Sequence, residues 1–86
     1  MIVTLTQTCN VCPSQWEGKT DDGRGVYVRY RWGGLSFTVA ATVDDAVMGR
    51  GAGPESFHMS HGDGLDGFMT TEELTSILAK RGIEVQ

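Results

Sequence analysis

The sequence predicts an α+β fold: an antiparallel β-meander of three to four strands with one C-terminal α-helix packed across one face, plus a short helix near 43–48. Three observations carry that expectation. Residues 26–32 and 35–40 alternate apolar and polar side chains with a period of two. Residues 70–83 bear helix start and stop signals at both ends. The chain has 86 residues with 40% apolar and 21% charged side chains, the composition of one small globular domain spanning residues 1–86.

In Val26-Tyr27-Val28-Arg29-Tyr30-Arg31-Trp32 the alternation puts Val26, Val28, Tyr30 and Trp32 on one face. Tyr27, Arg29 and Arg31 fall on the other. Leu35, Phe37 and Val39 repeat the apolar spacing, and the intervening Gly33-Gly34 predicts a two-residue hairpin turn, since glycine supplies positive φ. Residues 15–20 form a weaker strand, joined to the next by the turn-rich Asp21-Asp22-Gly23-Arg24-Gly25. Val3 and Leu5 mark residues 1–11 as an edge strand or a frayed terminus, and residues 55–60 offer a fourth strand.

Thr42 is the expected N-cap of the short helix, with Asp44 and Asp45 in its first turn and Gly49 ending it. In the C-terminal helix Thr70 and Glu73 have capping-box spacing, and Met69 and Leu74 form a hydrophobic staple. Leu74, Ile77 and Leu78 share a face that the sequence closes over Trp32 and Phe37. Gly82 fits a left-handed helix end, returning Ile83 to Leu78.

Charge divides unevenly. Residues 1–50 hold five cations and five anions, residues 51–86 two cations and six anions, so the net −4 falls in the second segment. This excludes a general nucleic-acid surface, which needs a basic face, and fits an acidic patch at Asp63, Asp66, Glu72 and Glu73 directed at a basic partner. No apolar run reaches the roughly 20 residues of a membrane span. The first residues, MIVTLTQTC, have neither the basic start nor the long apolar run of a secretory signal. Two cysteines are too few for a disulfide scaffold, so the expected compartment is the cytoplasm with reduced thiols.

Residues 62–67, Gly-Asp-Gly-Leu-Asp-Gly, imitate a dinucleotide-binding loop, yet no βαβ unit surrounds them and their aspartates would repel a pyrophosphate. Read as an EF-hand, the loop places glycines at its first and third ligand positions. A turn leading into a capped helix accounts for it. Cys9-x-x-Cys12 and His58-x-x-His61 supply four ligand types suited to structural zinc, although the histidine gap is short. The alternative is two reduced thiols and two surface histidines, with no cofactor. Tyr27, Arg29 and Arg31 either form a solvated outer face, with Glu17 and Asp21 as cross-hairpin partners, or touch a partner. No acid–base pair or activated nucleophile stands at a convincing spacing, so the expectation is not an enzyme.

Three phrases, Cys12-Pro13-Ser14-Gln15-Trp16-Glu17-Gly18, Tyr30-Arg31-Trp32-Gly33-Gly34-Leu35-Ser36, and residues 62–67 followed by Glu72-Glu73-Leu74, resemble small uncharacterised accessory proteins of bacteriophages and prophages. The resemblance covers roughly residues 12–78 and brings no catalytic residue with it. It implies a non-enzymatic binding protein in the cytoplasm of an infected host cell, as monomer or homodimer. Its partner would be a host protein or complex, met by protein–protein contact away from any membrane, as in an anti-CRISPR-like inhibitor of host defence. The alternative class is a zinc-stabilised nucleic-acid-associated module using Cys9, Cys12, His58 and His61, with Tyr27, Arg29 and Arg31 on the backbone.

Overall fold

The computed structural model describes residues 1–10, 13–62, 64 and 67–86. Along the chain come β1 (Ile2–Cys9), β2 (Ser14–Thr20), β3 (Gly25–Arg31), β4 (Gly34–Ala40), α1 (Val43–Met48), β5 (Phe57–Ser60), α2 (Thr71–Ala79) and β6 (Glu84–Val85). The six strands form one sheet in the order β5-β4-β3-β2-β1-β6. Neighbours are antiparallel except β1 and β6, which pair in parallel at Ile2–Glu84 and Val3–Val85. The sheet curls into a half-barrel.

The α+β class is as expected, but the sheet has six strands instead of three or four. Residues 2–9 are neither frayed nor at an edge, because β6 covers the far side of β1. A two-residue strand such as β6 carries no periodicity of its own. It exists because the helix end turns the chain back: Ile83 N–H donates to Leu78 O at 2.9 Å and Gly82 N–H to Ala79 O at 3.1 Å, with Gly82 at φ +78°.

Alternation sorts the side chains onto two faces. Val3, Trp16, Val26, Val28, Tyr30, Leu35, Phe37 and Val39 are fully buried in one cluster with Met69, Leu74 and Leu78. Phe37 and Phe57 stack across β4 and β5 with ring centroids 5.3 Å apart. Trp32 is absent from this cluster: Trp16 is the buried tryptophan, and Trp32 is 61% exposed. Leu74 and Leu78 of the helix share the buried cluster with Phe37, whereas Trp32 lies outside it.

Two polar side chains moor the start of α2 to β2. Buried Ser14 donates its N–H to Gly67 O at 2.9 Å, and its Oγ accepts from Met69 N–H at 3.0 Å. Trp16 Nε1–H donates to Thr71 Oγ1 at 3.1 Å. Thr70 caps the helix by accepting from Glu73 N–H at 3.1 Å, and Met69 and Leu74 are both buried, as the staple requires.

A second junction ties the β2–β3 turn to the chain before β5. Arg24 reaches Asp22 at 3.1 Å and Glu55 at 2.9 Å, and the Thr20 hydroxyl donates to Asp22. The Thr20 hydrogen bond and then Arg24 hold the Asp22 carboxyl below its ordinary pKa. Glu55 is lowered by its own backbone N–H and then by Arg24.

Two measurements follow from this packing. Leu78→Ala should cost about 2–4 kcal/mol and Thr70→Ala about 1 kcal/mol in denaturant melts. Equal costs would mean that the helix is not seated on the sheet. Both carboxylates of the Arg24 junction are depressed, so their contribution is complete above the ordinary carboxylate range. It fades as pH falls below about 4 towards the lowered folded values. Urea midpoints measured against pH should drop across that window, and Arg24→Gln should flatten the drop.

Candidate functional site

The β3–β4 hairpin turns at Trp32-Gly33, one residue earlier than Gly33-Gly34, because Arg31 pairs with Gly34 and Tyr30 with Leu35. Both turn residues have positive φ, +55° and +69°, as a type I′ turn requires. Among the described residues Trp32 is the one non-glycine at positive φ. A bulky side chain there is an outlier, since Cβ crowds the following carbonyl at about 1–2 kcal/mol. Burial does not compensate, because the indole stands in solvent. The Arg31 guanidinium lies 5.1 Å from its ring centroid, a cation–π contact worth about 0.5–1 kcal/mol when exposed.

The outer sheet face is ordered by register. Cys9, Gln15, Arg29, Ser36 and His58 lie opposite one another in a single row across β1 to β5. Beside it, Thr6, Glu17, Tyr27 and Thr38 form the next row. At the β5 end of the first row, Arg29, Arg31, Trp32, Gly34, Ser36 and His58 line an open pocket of about 370 Å³. Gly34 lets the His58 ring lie close, since a Cβ there would stand 2.9 Å from His58 Nε2.

The electrostatics of this face are unbalanced. Among the described residues no carboxylate is within ion-pair distance of Arg29 or Arg31, whereas Arg24 and Arg50 are both paired. Arg29 Nε is shut from solvent and has no hydrogen-bond acceptor among the described residues. Of the two expected cross-strand partners, Glu17 lies directly opposite Tyr27, while Gln15 stands opposite Arg29 and Asp21 lies beyond the end of β2. Burial pushes the Tyr27 phenol above its ordinary pKa, against the opposing pull of the Arg29 cation.

The other anticipated site residues scatter. Glu72 is exposed on the first turn of α2. Glu73 instead bonds His61 Nε2 at 2.5 Å, joining the helix start to the residue after β5. Asp63 and Asp66 lie outside the described residues, as does Cys12. Cys9 and His58 share a row but sit on β1 and β5, four strand spacings or roughly 19 Å apart along the sheet, too far for one ion. His61 is held by Tyr30, whose hydroxyl donates to its carbonyl, and by its own N–H to Gly33 O at 2.7 Å. Among the described residues no group of three or more His, Cys, Asp or Glu side chains is placed to hold a metal ion. None of the described helices is long and apolar enough to cross a membrane.

Alternation alone points to Tyr27, Arg29 and Arg31; it does not bring Trp32, Ser36 and His58 to the same surface. Alternation cannot separate the two hairpin registers. Moving the turn from Gly33-Gly34 to Trp32-Gly33 changes the partner of Tyr30 from Phe37 to Leu35; both registers keep Val26, Val28, Tyr30, Leu35, Phe37 and Val39 on the core face, and only Trp32 leaves it.

Replacing Trp32 tests this placement directly. Relief of left-handed strain outweighs the lost cation–π contact, so Trp32→Asn should raise stability by about 0.5–1 kcal/mol. A core tryptophan would instead lose about 3–5 kcal/mol in the same thermal melt.

No protein-family model matches the chain, and neither a curated protein nor a solved structure matches it.

Proposed function

We propose that this chain is a small non-enzymatic binding protein that acts by protein–protein contact through the outer sheet face around Trp32 and Arg31. The observation that carries the reading is Trp32: a large aromatic kept exposed at a backbone position that disfavours it, stacked with an arginine. Stability gives no reason for a tryptophan there, and strained residues concentrate where function needs them. Tryptophan and arginine are also the residues that most often anchor protein interfaces.

The phage-type resemblance supplies the setting, an inhibitor of a host defence complex in the cytoplasm of an infected cell. The acidic residues rank below the outer face as the contact, since Glu73 is engaged with His61 and Glu72 stands beside it as an exposed charge.

The test is affinity capture from host lysate with identification by mass spectrometry, run in parallel on wild type, Trp32→Asn, Arg31→Glu and Glu72→Arg. A specific partner should be held by wild type and Glu72→Arg, and reduced by about tenfold or more in the other two. Thermal melts should show all four folded. A partner retained by Trp32→Asn and Arg31→Glu but lost in Glu72→Arg would move the contact to the helix.

A further inference from the structure

The geometry points to the pocket between Arg29, Arg31 and His58 as a carboxylate-binding subsite that accepts an acidic side chain from a partner polypeptide. This rests on the reading that the outer face is a protein-contact surface, and it names what that surface recognises.

Arg29 carries the argument. Its position at the centre of the sheet sets a permanent cation directly between Gln15 on β2 and Ser36 on β4, neither of which offers a carboxylate, and among the described residues no acid is within ion-pair distance. Its Nε–H is withdrawn from water without an acceptor. A half-buried guanidinium is ordinarily paired, because removing a cation from water without a counter-charge is costly. Elsewhere in this chain that rule is kept: Arg24 is also partly shielded and has two carboxylates. Among the described residues none supplies that counter-charge to Arg29, which leaves the position open to a carboxylate from outside.

The pocket's lining selects the class of anion. Arg29 and Arg31 are alternate residues on one strand, so both guanidiniums project from the same face. Ser36 adds a hydroxyl, His58 an imidazole and Trp32 an indole to the same lining. Arginine forks suit a planar carboxylate through paired N–H donors. The indole suits the apolar stem, or an apolar neighbour, of the residue that bears it. A nucleic-acid strand fits less well. It would need a track of cations, whereas this face offers two unpaired arginines with Glu17 on the adjoining row, and the chain carries a net charge of −4.

The experiment is a titration of isotope-labelled protein followed by the Arg29 Nε–H and Trp32 indole N–H resonances, with Trp32→Asn assigning the latter against buried Trp16. The titrants are a decaglutamate peptide, an oligothymidylate of matched charge, and sodium chloride. Decaglutamate should shift both resonances saturably at a concentration about tenfold or more below that of oligothymidylate, and Arg31→Glu should weaken the response by about tenfold. Gly34→Ala, which displaces His58, should alter the response while leaving the fold intact. Three results would overturn the assignment: no shift with decaglutamate, an equal shift with chloride at matched ionic strength, or a stronger response to oligothymidylate. If Arg29 stays silent while Trp32→Asn still abolishes partner capture, the subsite is wrong and the protein-contact reading stands. Saturable shifts with no captured partner would mean the reverse: the subsite stands and the protein-contact reading falls.

Discussion

Ser14 and Trp16 fasten the start of α2 to β2, and the arrangement of the whole chain follows from that attachment. A curled sheet has one concave apolar face, and an uncovered concave face would leave Val28, Tyr30, Leu35 and Phe37 in water. Apolar burial drives α2 onto that face, but burial has no direction and could be satisfied by several helix positions. The hydrogen bonds from Ser14 N–H to Gly67 O, from Met69 N–H to Ser14 Oγ, and from the Trp16 indole to Thr71 choose one. Each pairs a polar group that would otherwise be stranded in the core at about 1–3 kcal/mol. With the helix start fixed, Leu74 and Leu78 fall into the cluster, the Gly82 turn follows, and β6 lands against β1.

Covering the concave face leaves the outer face to a different chemistry. Its residues are not needed for burial, so polar and charged side chains persist there, and register brings residues from five strands into one row. Several of the chain's other charges are absorbed internally. Arg24 with Asp22 and Glu55, Arg50 with Asp45, and His61 with Glu73 are all engaged within the fold. Half-buried Arg29 differs from half-buried Arg24: among the described residues it has no carboxylate within ion-pair distance, the closest acid in the register being Glu17 on the adjoining row.

The distribution of charge along the chain is a poor guide to its distribution in space. The C-terminal excess of acids suggests one acidic lobe, yet Glu55 turns toward the β2–β3 turn, and Glu73 bonds His61 while its side chain stays 43% exposed. A hairpin tip is a place where a fold can hold side chains rigidly without needing them for its own core, which suits the contact surface proposed at Trp32 and Arg31.

The sequence by itself determined the periodic strands, the sorting of Tyr27, Arg29 and Arg31 away from Val26, Val28 and Tyr30, and both ends of α2. These depend on neighbours within a few residues: a pleat of period two, a cap hydroxyl three residues before the N–H it accepts from, a glycine able to turn left-handed. Tertiary structure alone decided that Trp16 is buried and Trp32 is not, that β6 shields β1, and that His58 comes to lie in the row containing Arg29. Sliding the hairpin between its two registers keeps every apolar strand residue except Trp32 on the core face, so local pattern has no means of choosing between them. The choice falls to contacts between residues far apart in the chain, among them the indole of Trp16 reaching Thr71 and the His61 backbone reaching Gly33.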